Sequence, residues 1–496
     1  MRPSIGIDFG TTNTRLAYFD GRQVRLLTEP QSSSPFIPSA IAYQQGQPLA
    51  SGGQAKERHG DMAITSLKWL LAEDKVIDVG HPRHGKEPIE VVTDYVGYLR
   101  QVLTDQRVDI KGLKVALTVP VNYPLKARRA LLEAFNQGGL PIANLYPEPV
   151  AALYAVASIQ HREGVSAIMD WGGGTLDLAC LKVKDNKAYV LSSTGLKEGG
   201  DDFDEWIARE ALEDFLRQHP KLEADRQLIW KNKNLGLRSR SEKRKCEYLN
   251  NPTLRWDNFV GQYDLEYRIE TSRFEERLRS PVSKALRLFS QMIQESGESE
   301  RLIEPVVLSG GTRNLDFIRC SFQNEFGQRL QDELPQADYF RDLERHRIDS
   351  ATAIGAALLQ AIDSHPVCSR AIGIRLADDR QTASTDLFWP IFKRGDKIDP
   401  ISKVTMEFFV TNPSSGVARL LICDQLEPEI EPAGRLRKFF PVPIDRRESR
   451  IYLTFRITEG LLLEVTVQGA LAKVDPENTR TYVADLALGF ELPPIS

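Results

Sequence analysis

Several features that would narrow the function at once are scarce or missing in this sequence. The 496 residues carry five cysteines without a Cys-x-x-Cys pair, and the formal net charge is −4. Scattered cysteines are typical of reduced thiols rather than of a disulfide framework or a zinc site. The small net charge predicts no general affinity for nucleic acid or for an anionic membrane. The cysteines are Cys180, Cys246, Cys320, Cys368 and Cys423.

Two further absences exclude classes of protein. No apolar run approaches the length that crosses a membrane, and the N-terminus enters an apolar segment almost at once. We therefore expect no signal peptide, no membrane association and a cytoplasmic location. The sequence also lacks the Gly-x-x-x-x-Gly-Lys-Ser/Thr loop, which excludes a Walker-type phosphate site. The length suffices for about two to four folding units with sizeable cores.

What the sequence does contain is a short apolar segment that ends in an aspartate and a glycine turn. It runs Ile5-Gly6-Ile7-Asp8-Phe9-Gly10-Thr11-Thr12-Asn13-Thr14. Alternation continues after the turn, which predicts a β-hairpin. Gly10 permits the tight turn, and its backbone amides with the hydroxyls of Thr11 and Thr12 suit phosphate oxygens. Asp8 is placed to hold magnesium, largely through water.

The same pattern occurs a second time in residues 167–177, which run Ala-Ile-Met-Asp-Trp-Gly-Gly-Gly-Thr-Leu-Asp. A single glycine-rich turn is as readily an ordinary hairpin loop. Two copies instead predict two related lobes, each with a phosphate-binding hairpin facing a shared cleft. A third glycine element, residues 306–313, again follows an apolar strand.

These three elements, in this order, resemble the actin, sugar kinase and heat-shock-70 ATPase superfamily, and within it the DnaK-type heat-shock-70 chaperones. The resemblance covers residues 1 to about 362. Further matching motifs are Leu117-Thr118-Val119-Pro120, Glu148-Pro149-Val150-Ala151-Ala152 and Gly199-Gly200-Asp201-Asp202-Phe203-Asp204.

The resemblance implies an α/β fold with a two-lobed, actin-like (duplicated ribonuclease H-like) ATPase domain over residues 1–365. After about residue 370 the pattern alternates with a period of two, as in Val404, Met406 and Phe408. Such runs predict an all-β sandwich over residues 370–496, in the place of the peptide-binding domain of the chaperones. A β-domain for docking or assembly is the alternative.

The resemblance also implies a site for ATP or ADP with magnesium, and potassium is a further candidate ion. Catalytic roles fall on Lys68, Asp170, Thr175, Glu148 and Asp8, with Asp8 and Asp170 holding magnesium largely through water. Nucleotide-binding roles fall on Gly10, Thr11, Thr12, Asn13, Gly172, Gly173, Gly174, Gly199, Gly200, Glu242, Lys245, Gly310, Gly311, Arg313 and Asp349. Lys68 would orient the attacking water, and Asp170 would accept its proton.

Several of these residues also have a plain structural explanation. Lys68, on a segment with helical spacing over residues 51–71, would by composition alone be a solvated charge. Arg128, which matches a family arginine at the lobe interface, fits a surface helix nearly as well. Glu148 suits the N-terminus of the helix that follows it. The basic stretch 231–245 is more typical of a solvated helix face than of a nucleic-acid site, because no aromatic platform interleaves it.

Departures from the family weaken one part of the resemblance. The connection over residues 363–370 is more polar than the family's leucine-rich linker. We also expect the helical lid that follows the β-domain in the family to be absent. Cys246 stands where the family often has an arginine stacking on adenine, and we expect it to pack rather than to sense redox state.

Three hypotheses follow. The first is a lidless heat-shock-70-like chaperone that binds polypeptides, with J-domain proteins and nucleotide-exchange factors as partners. The second is a nucleotide-switched scaffold that holds one specific partner. The third, a small-molecule kinase of the same superfamily, ranks last because an appended β-domain is unexpected there.

Overall fold

The computed structural model describes residues 1–30, 32, 34–58, 63–73, 75–80, 85–120, 123–157, 163–185, 187–334, 347–376, 387–410, 412–425, 433–447, 449–458, 460–469, 479–485 and 488–491. The chain divides into two compact units. The first contains Met1–Leu181 and Ser192–Asp363, and the second contains Lys182–Leu191 and Ser364–Pro493. The division into domains 1–365 and 370–496 stays a prediction.

The first part of the first unit alternates strands with helices. The strands are β1 (Ser4–Phe9), β2 (Asn13–Phe19), β3 (Val24–Leu26), β4 (Ile37–Pro38), β5 (Ile41–Gln44), β6 (Gln47–Ser51), β7 (Ala63–Ile64), β8 (Lys114–Val119) and β9 (Ile142–Pro147). The helices are α1 (Gly52–Arg58), α2 (Leu67–Leu70), α3 (Pro88–Asp105), α4 (Leu125–Gln137) and α5 (Glu148–Ala157).

The second part repeats a strand-rich beginning and then becomes mostly helical. Its strands are β10 (Gly164–Trp171), β11 (Leu176–Lys184), β12 (Lys187–Leu196), β13 (Thr253–Val260), β14 (Tyr263–Arg268), β15 (Ile303–Ser309) and β16 (Leu330–Gln331). Its helices are α6 (Gly200–Gln218), α7 (Arg226–Cys246), α8 (Thr271–Ser296), α9 (Asp316–Phe326) and α10 (Ala351–Ala361).

In two sheets of the first unit, the predicted site residues Asp8 and Asp170 lie near the carboxyl ends of parallel strands. The first sheet has the order β3-β2-β1-β8-β9, in which β1 and β2 form an antiparallel hairpin and β1 and β8 are parallel. In the second, β15 and β10 are parallel, and Asp170 lies beside Ser309. Asp8 and Asp170 therefore both stand where a buried central strand ends, as predicted from the repeated motif.

Helix α10 packs closely against α5 and against β1. A Cβ atom on Gly355 of α10 would lie 1.7 Å from the carbonyl oxygen of Ala151 in α5. A Cβ atom on Gly6 of β1 would lie 2.2 Å from the carbonyl oxygen of Ala353. The helix over residues 349–362 and its close packing at Gly355 were predicted from the sequence, and both are confirmed.

One helical prediction from the sequence is wrong. The apparent helical spacing over residues 51–71 covers α1, then β7, then α2, which is a single turn. Ala63 and Ile64 pair instead with β5, and Ser66 adopts a left-handed φ of 55° directly before α2. A left-handed residue with a side chain is uncommon and breaks a helix. Lys68 therefore lies on a short, fixed turn and is buried, rather than on a solvated helix face.

The second unit is made of strands. They are β17 (Pro366–Cys368), β18 (Ala371–Leu376), β19 (Leu387–Phe392), β20 (Val404–Phe409), β21 (Val417–Gln425), β22 (Arg435–Pro443), β23 (Arg450–Ile457), β24 (Leu462–Gly469), β25 (Thr479–Asp485) and β26 (Leu488–Glu491). Two four-stranded antiparallel sheets have the orders β19-β18-β21-β22 and β20-β23-β24-β25. The alternation predicted for β23 is confirmed, because Leu453, Phe455 and Ile457 are buried and the residues between them are partly exposed.

The segment predicted to be a polar linker has a defined structure of its own. Pro366–Cys368 forms β17, which pairs with β26, and β26 pairs in turn with Lys187, Ala188 and Tyr189. Ser369 and Arg370 are buried, and Arg370 forms an ion pair with Asp424 at 2.8 Å. Most residues of this polar connection, from Ser364 onward, therefore belong to the second unit.

Candidate functional site

The turns of the two repeated hairpins face each other directly. A Cβ atom on Gly173 would lie 1.8 Å from the hydroxyl oxygen of Thr12, and one on Gly174 would lie 3.0 Å from the methyl group of Thr11. The Thr12 hydroxyl donates to a carboxylate oxygen of Asp201 at 2.8 Å. A side chain at position 173 would push the turns apart, which explains the need for glycine there.

A cavity of about 350 Å³ lies at this contact, within the range of small-molecule sites. Most residues predicted for the site line it: Asp8, Gly10, Thr11, Thr12, Asn13, Lys68, Glu148, Asp170, Gly172, Gly173, Gly174, Thr175, Gly200, Glu242, Lys245, Gly310 and Gly311. Gly199, Arg313 and Asp349 do not line it. The roles of all these residues stay predictions.

The three predicted residues outside the cavity wall lie behind it. Gly199 precedes α6, and its backbone amide donates to Asp202, which caps the helix. Arg313 and Asp349 are both buried, and burial lowers the pKa of Arg313 while the charge of Asp349 opposes that change.

A buried ion pair lies at one wall of the cavity. The ammonium group of Lys68 donates to a carboxylate oxygen of Glu148 at 2.5 Å, and the Tyr123 hydroxyl donates to the Lys68 carbonyl at 2.5 Å. Arg128 of α4 is buried and donates to the Tyr123 carbonyl, so it is not a surface charge. These contacts fix the lysine at the end of its short helical turn.

Carboxylates crowd the same wall. Burial raises the pKa of Glu148, as do the charges of Asp177, Asp8 and Asp170, while Lys68 opposes them. Burial and then the charge of Asp8 raise the pKa of Asp170 to about 6. A carboxylate with a raised pKa in a cleft is suited to accept a proton near neutral pH.

The same carboxylates fit a hydrated magnesium ion. Asp8 and Asp170 offer hard oxygen donors and are close enough for the charge of one to raise the pKa of the other. In the described parts of the chain, no three His, Cys, Asp or Glu side chains are grouped to hold a metal by themselves. Magnesium characteristically keeps several waters and takes phosphate oxygens as ligands, so two carboxylates are enough.

The far end of the cavity is closed by ion pairs. Lys56 of α1 donates to Glu242 of α7, and Lys245 pairs with Asp204 at 2.8 Å while donating to the Gly200 carbonyl at 2.7 Å. Burial alone would lower the pKa of Lys245, but the carboxylate of Asp204 raises it. Glu242 and Lys245, both predicted to bind the nucleotide, are thus already held in place by protein groups.

Cys246 is exposed and lines the cavity, and its packing role stays a prediction. In the basic stretch 231–245, Lys245 is buried in the cavity wall, whereas Arg238 and Lys243 form ion pairs nearer the surface. Arg238 pairs with Glu205 at 3.7 Å, and Lys243 pairs with Glu57 at 3.6 Å.

Several residues of the cavity wall were not predicted as site residues, and three of them make contacts that shape the site. Arg15 forms an ion pair with Asp8, Trp69 donates its indole N–H to the Thr11 hydroxyl at 3.2 Å, and Asp204 holds Lys245. Hairpin alternation was the available signal for Arg15, since it places that residue opposite Asp8. Trp69 and Asp204 depend on tertiary contacts that no local pattern shows.

Comparison with known families assigns the chain to a class of chaperone-type ATPases. A family model described as "Hsp70 protein" matches residues 70–378, which is more than half of the chain. The chain belongs to the Hsp70 family, so the resemblance stated from its motifs is confirmed. Members of this family are ATPases that bind ATP or ADP with magnesium.

One curated relative shows how far the sequence similarity extends along the chain. The "Chaperone protein DnaK" of Mycoplasmoides gallisepticum is 25% identical to this chain over 324 residues, which are 64% of this chain and 54% of that protein. The chain spans about half the length of this relative. Among the described residues, no helix is long and apolar enough to cross a membrane.

Proposed function

We propose that this chain binds ATP with magnesium in the cavity between the two hairpins and hydrolyses it slowly. The observation that carries the proposal is the meeting of two Asp-Gly turns in one cavity, next to the buried Lys68–Glu148 pair. Backbone amides and threonine hydroxyls of the turns suit phosphate oxygens, and the carboxylates suit a hydrated cation.

The proposed fold follows the family. Residues 1–365 form a two-lobed, actin-like ATPase domain, and residues 370–496 form a β-sandwich. The duplicated hairpins support the first part, and the two antiparallel sheets with alternating burial support the second. The soluble composition and the family support a cytoplasmic location.

Hydrolysis needs positioning and charge neutralisation more than covalent chemistry. Thr11, Thr12 and Thr175 hold the phosphates through their hydroxyls and neighbouring amides. Lys68, fixed by Glu148, orients the attacking water, and Asp170 accepts its proton. When bound between Asp8 and Asp170, magnesium would neutralise charge on the phosphate oxygens.

In the first form of the proposal, the nucleotide state controls binding of polypeptides by the β-domain. The relative named as a chaperone and the family support this form. J-domain proteins and nucleotide-exchange factors are then the expected partners. Clients would be recognised through extended segments, which add to exposed strand edges.

A second candidate is a nucleotide-switched scaffold with one specific partner. It is favoured by β17, because a linker segment built into the second unit is less free to dock elsewhere when nucleotide binds. The affinity for a generic apolar peptide, measured with ATP and with ADP, separates the two. A clear difference supports the chaperone, and equal affinities support the scaffold.

Calorimetry tests the shared part of the proposal. Titration of the full chain with ADP and with ATP in magnesium buffer should show uptake at one site. Lys68→Ala and Asp170→Ala should keep this uptake and lose turnover by about 10²–10³-fold, as for other lost electrostatic groups. Absence of nucleotide uptake would overturn the proposed function, and parental turnover in both variants would overturn the roles.

A further inference from the structure

A single arginine stands inside the cavity next to a predicted metal-binding carboxylate. Arg15 lies on β2 directly opposite Asp8 on β1, and its Nη1 donates to Asp8 Oδ2 at 2.9 Å. The side chains are only 11% and 9% exposed, so the pair is largely withdrawn from water. A charge-assisted bond of this kind holds the guanidinium group firmly at the cavity wall.

The plane of the Arg15 guanidinium group is fixed, but not all of its hydrogen-bond donors are satisfied by the described residues. Its carbon lies 4.9 Å from the ring centroid of Phe36, an arrangement that fixes the plane of the group. Within the part of the chain that the structure describes, its Nε atom is buried and has no hydrogen-bond partner. Buried donors almost always find an acceptor, and an unmade bond costs about 1–3 kcal/mol. An acceptor that arrives with a ligand would remove this cost.

The negative charges around Arg15 explain why a cationic side chain besides Lys68 is needed to hold a polyphosphate in the cavity. Asp8, Asp170, Asp177 and Glu148 act on one another electrostatically, and a polyphosphate beside them would be repelled. Lys68 is already engaged with Glu148. Arg15 acts on Asp170 as well as on Asp8, so its field extends across the cavity.

We propose that Arg15 contacts the phosphates of the bound nucleotide and allows the cavity to hold a nucleoside diphosphate or triphosphate without a divalent cation. The inference rests on the proposed nucleotide site and adds a phosphate-binding residue to it. Guanidinium groups suit this task because their planar fork matches two phosphate oxygens and their charge persists at every physiological pH. Arg15 therefore takes over part of the neutralisation that magnesium supplies when present.

The test compares ADP affinity in magnesium buffer and in EDTA by calorimetry. The full chain should bind ADP under both conditions. Arg15→Gln, which keeps a hydrogen-bonding group and loses the charge, should lose about 10–100-fold in EDTA, the range for a bond to a charged group. Its loss in magnesium should be several-fold smaller. Arg15→Lys should recover part of the affinity, because it restores the charge without the fork.

Arg25→Gln on the neighbouring strand β3 is the matched control, because Arg25 is exposed outside the cavity. It should bind like the parent in both buffers. Equal losses for Arg15→Gln in magnesium and in EDTA, or no loss, would overturn the inference and leave the nucleotide site intact. No ADP uptake by the parent in magnesium would overturn both.

A second measurement covers the case in which Arg15→Gln does not fold. The parent chain is titrated with inorganic pyrophosphate in EDTA, so that adenosine contacts and metal play no part. Uptake that competes with ADP supports the inference. No uptake, or uptake that does not compete with ADP, overturns it.

Discussion

The two hairpins of the first unit share a motif but differ in charge at one position. Counting from the aspartate, Arg15 follows Asp8 by seven positions, and Asp177 follows Asp170 by seven. Arg15 pairs with Asp8, whereas Asp177 accepts a hydrogen bond from the Thr175 hydroxyl at 2.8 Å. The hairpin backbone is repeated, but the side chains at this matching position carry opposite charges.

This difference divides the chemistry of the site between its two halves. The pKa of Asp170 is raised to about 6 by burial and by the charge of Asp8, and burial also raises the pKa of Asp177. Asp8, in contrast, has an arginine beside it. The second hairpin is therefore the better suited of the two to accept a proton. Substitutions at matching positions should have unequal effects.

The largest expected effect is that of Asp170→Asn. An amide cannot accept the proton of the attacking water, so turnover should fall by about 10²–10⁴-fold, the usual contribution of a general base. ATPase rates in single-turnover experiments would measure it. Asp105→Asn, at the exposed end of α3, is the control and should leave the rate unchanged. A loss smaller than about threefold would assign the proton to another group.

The matching glycines of the two turns provide a second contrast. A Cβ atom on Gly10 would lie 2.3 Å from the carbonyl oxygen of Asn13 in the same turn, whereas one on Gly172 would lie 3.6 Å from that of Thr175. Gly10→Ala should therefore cost about 1–3 kcal/mol of stability through overpacking, and Gly172→Ala much less. Thermal unfolding of the nucleotide-free chain compares them. Equal melting temperatures would show that the first turn relaxes without cost.

The sequence predicted the elements that carry the site more reliably than the contacts within it. Both hairpins, the strand before Gly310 and the helix after Asp349 follow from apolar periodicity and glycine placement, which are local properties. The one-turn helix at Lys68 could not be predicted, because Ser66 is held in a left-handed conformation by its surroundings. The same holds for β17, which pairs with a strand about 120 residues later.

The ion pairs of the site were also difficult to predict from local sequence patterns. The pair of Lys68 with Glu148 and that of Lys56 with Glu242 join residues far apart in the chain. No local pattern identifies such partners. Arg15 and Asp8 are the exception, because a two-residue period and a hairpin turn place them side by side.

Removal of the charge of Asp8 should strengthen ADP binding in EDTA and slow ATP turnover in magnesium. Asp8→Asn leaves Arg15 free to meet phosphate, so ADP affinity in EDTA should rise by about fivefold, near 1 kcal/mol. ATP turnover in magnesium should fall, since a predicted metal-holding carboxylate is lost. Calorimetry and ATPase rates measure the two effects. Weaker ADP binding in EDTA would show that Asp8 positions Arg15 rather than competing for it.

The smallest expected effect belongs to Asp177, the counterpart of Arg15. Burial raises its pKa above the ordinary value of 3.8, so the folded chain binds this proton more tightly than the unfolded chain does. Stability is then lost as the pH rises above about 4, because ionisation favours the unfolded state. Asp177→Asn avoids this loss and can still accept the hydrogen bond from Thr175. Its melting temperature should exceed that of the parent by about 2 °C at pH 7 and by less near pH 4.5. A difference that does not depend on pH would assign the effect to packing instead of charge.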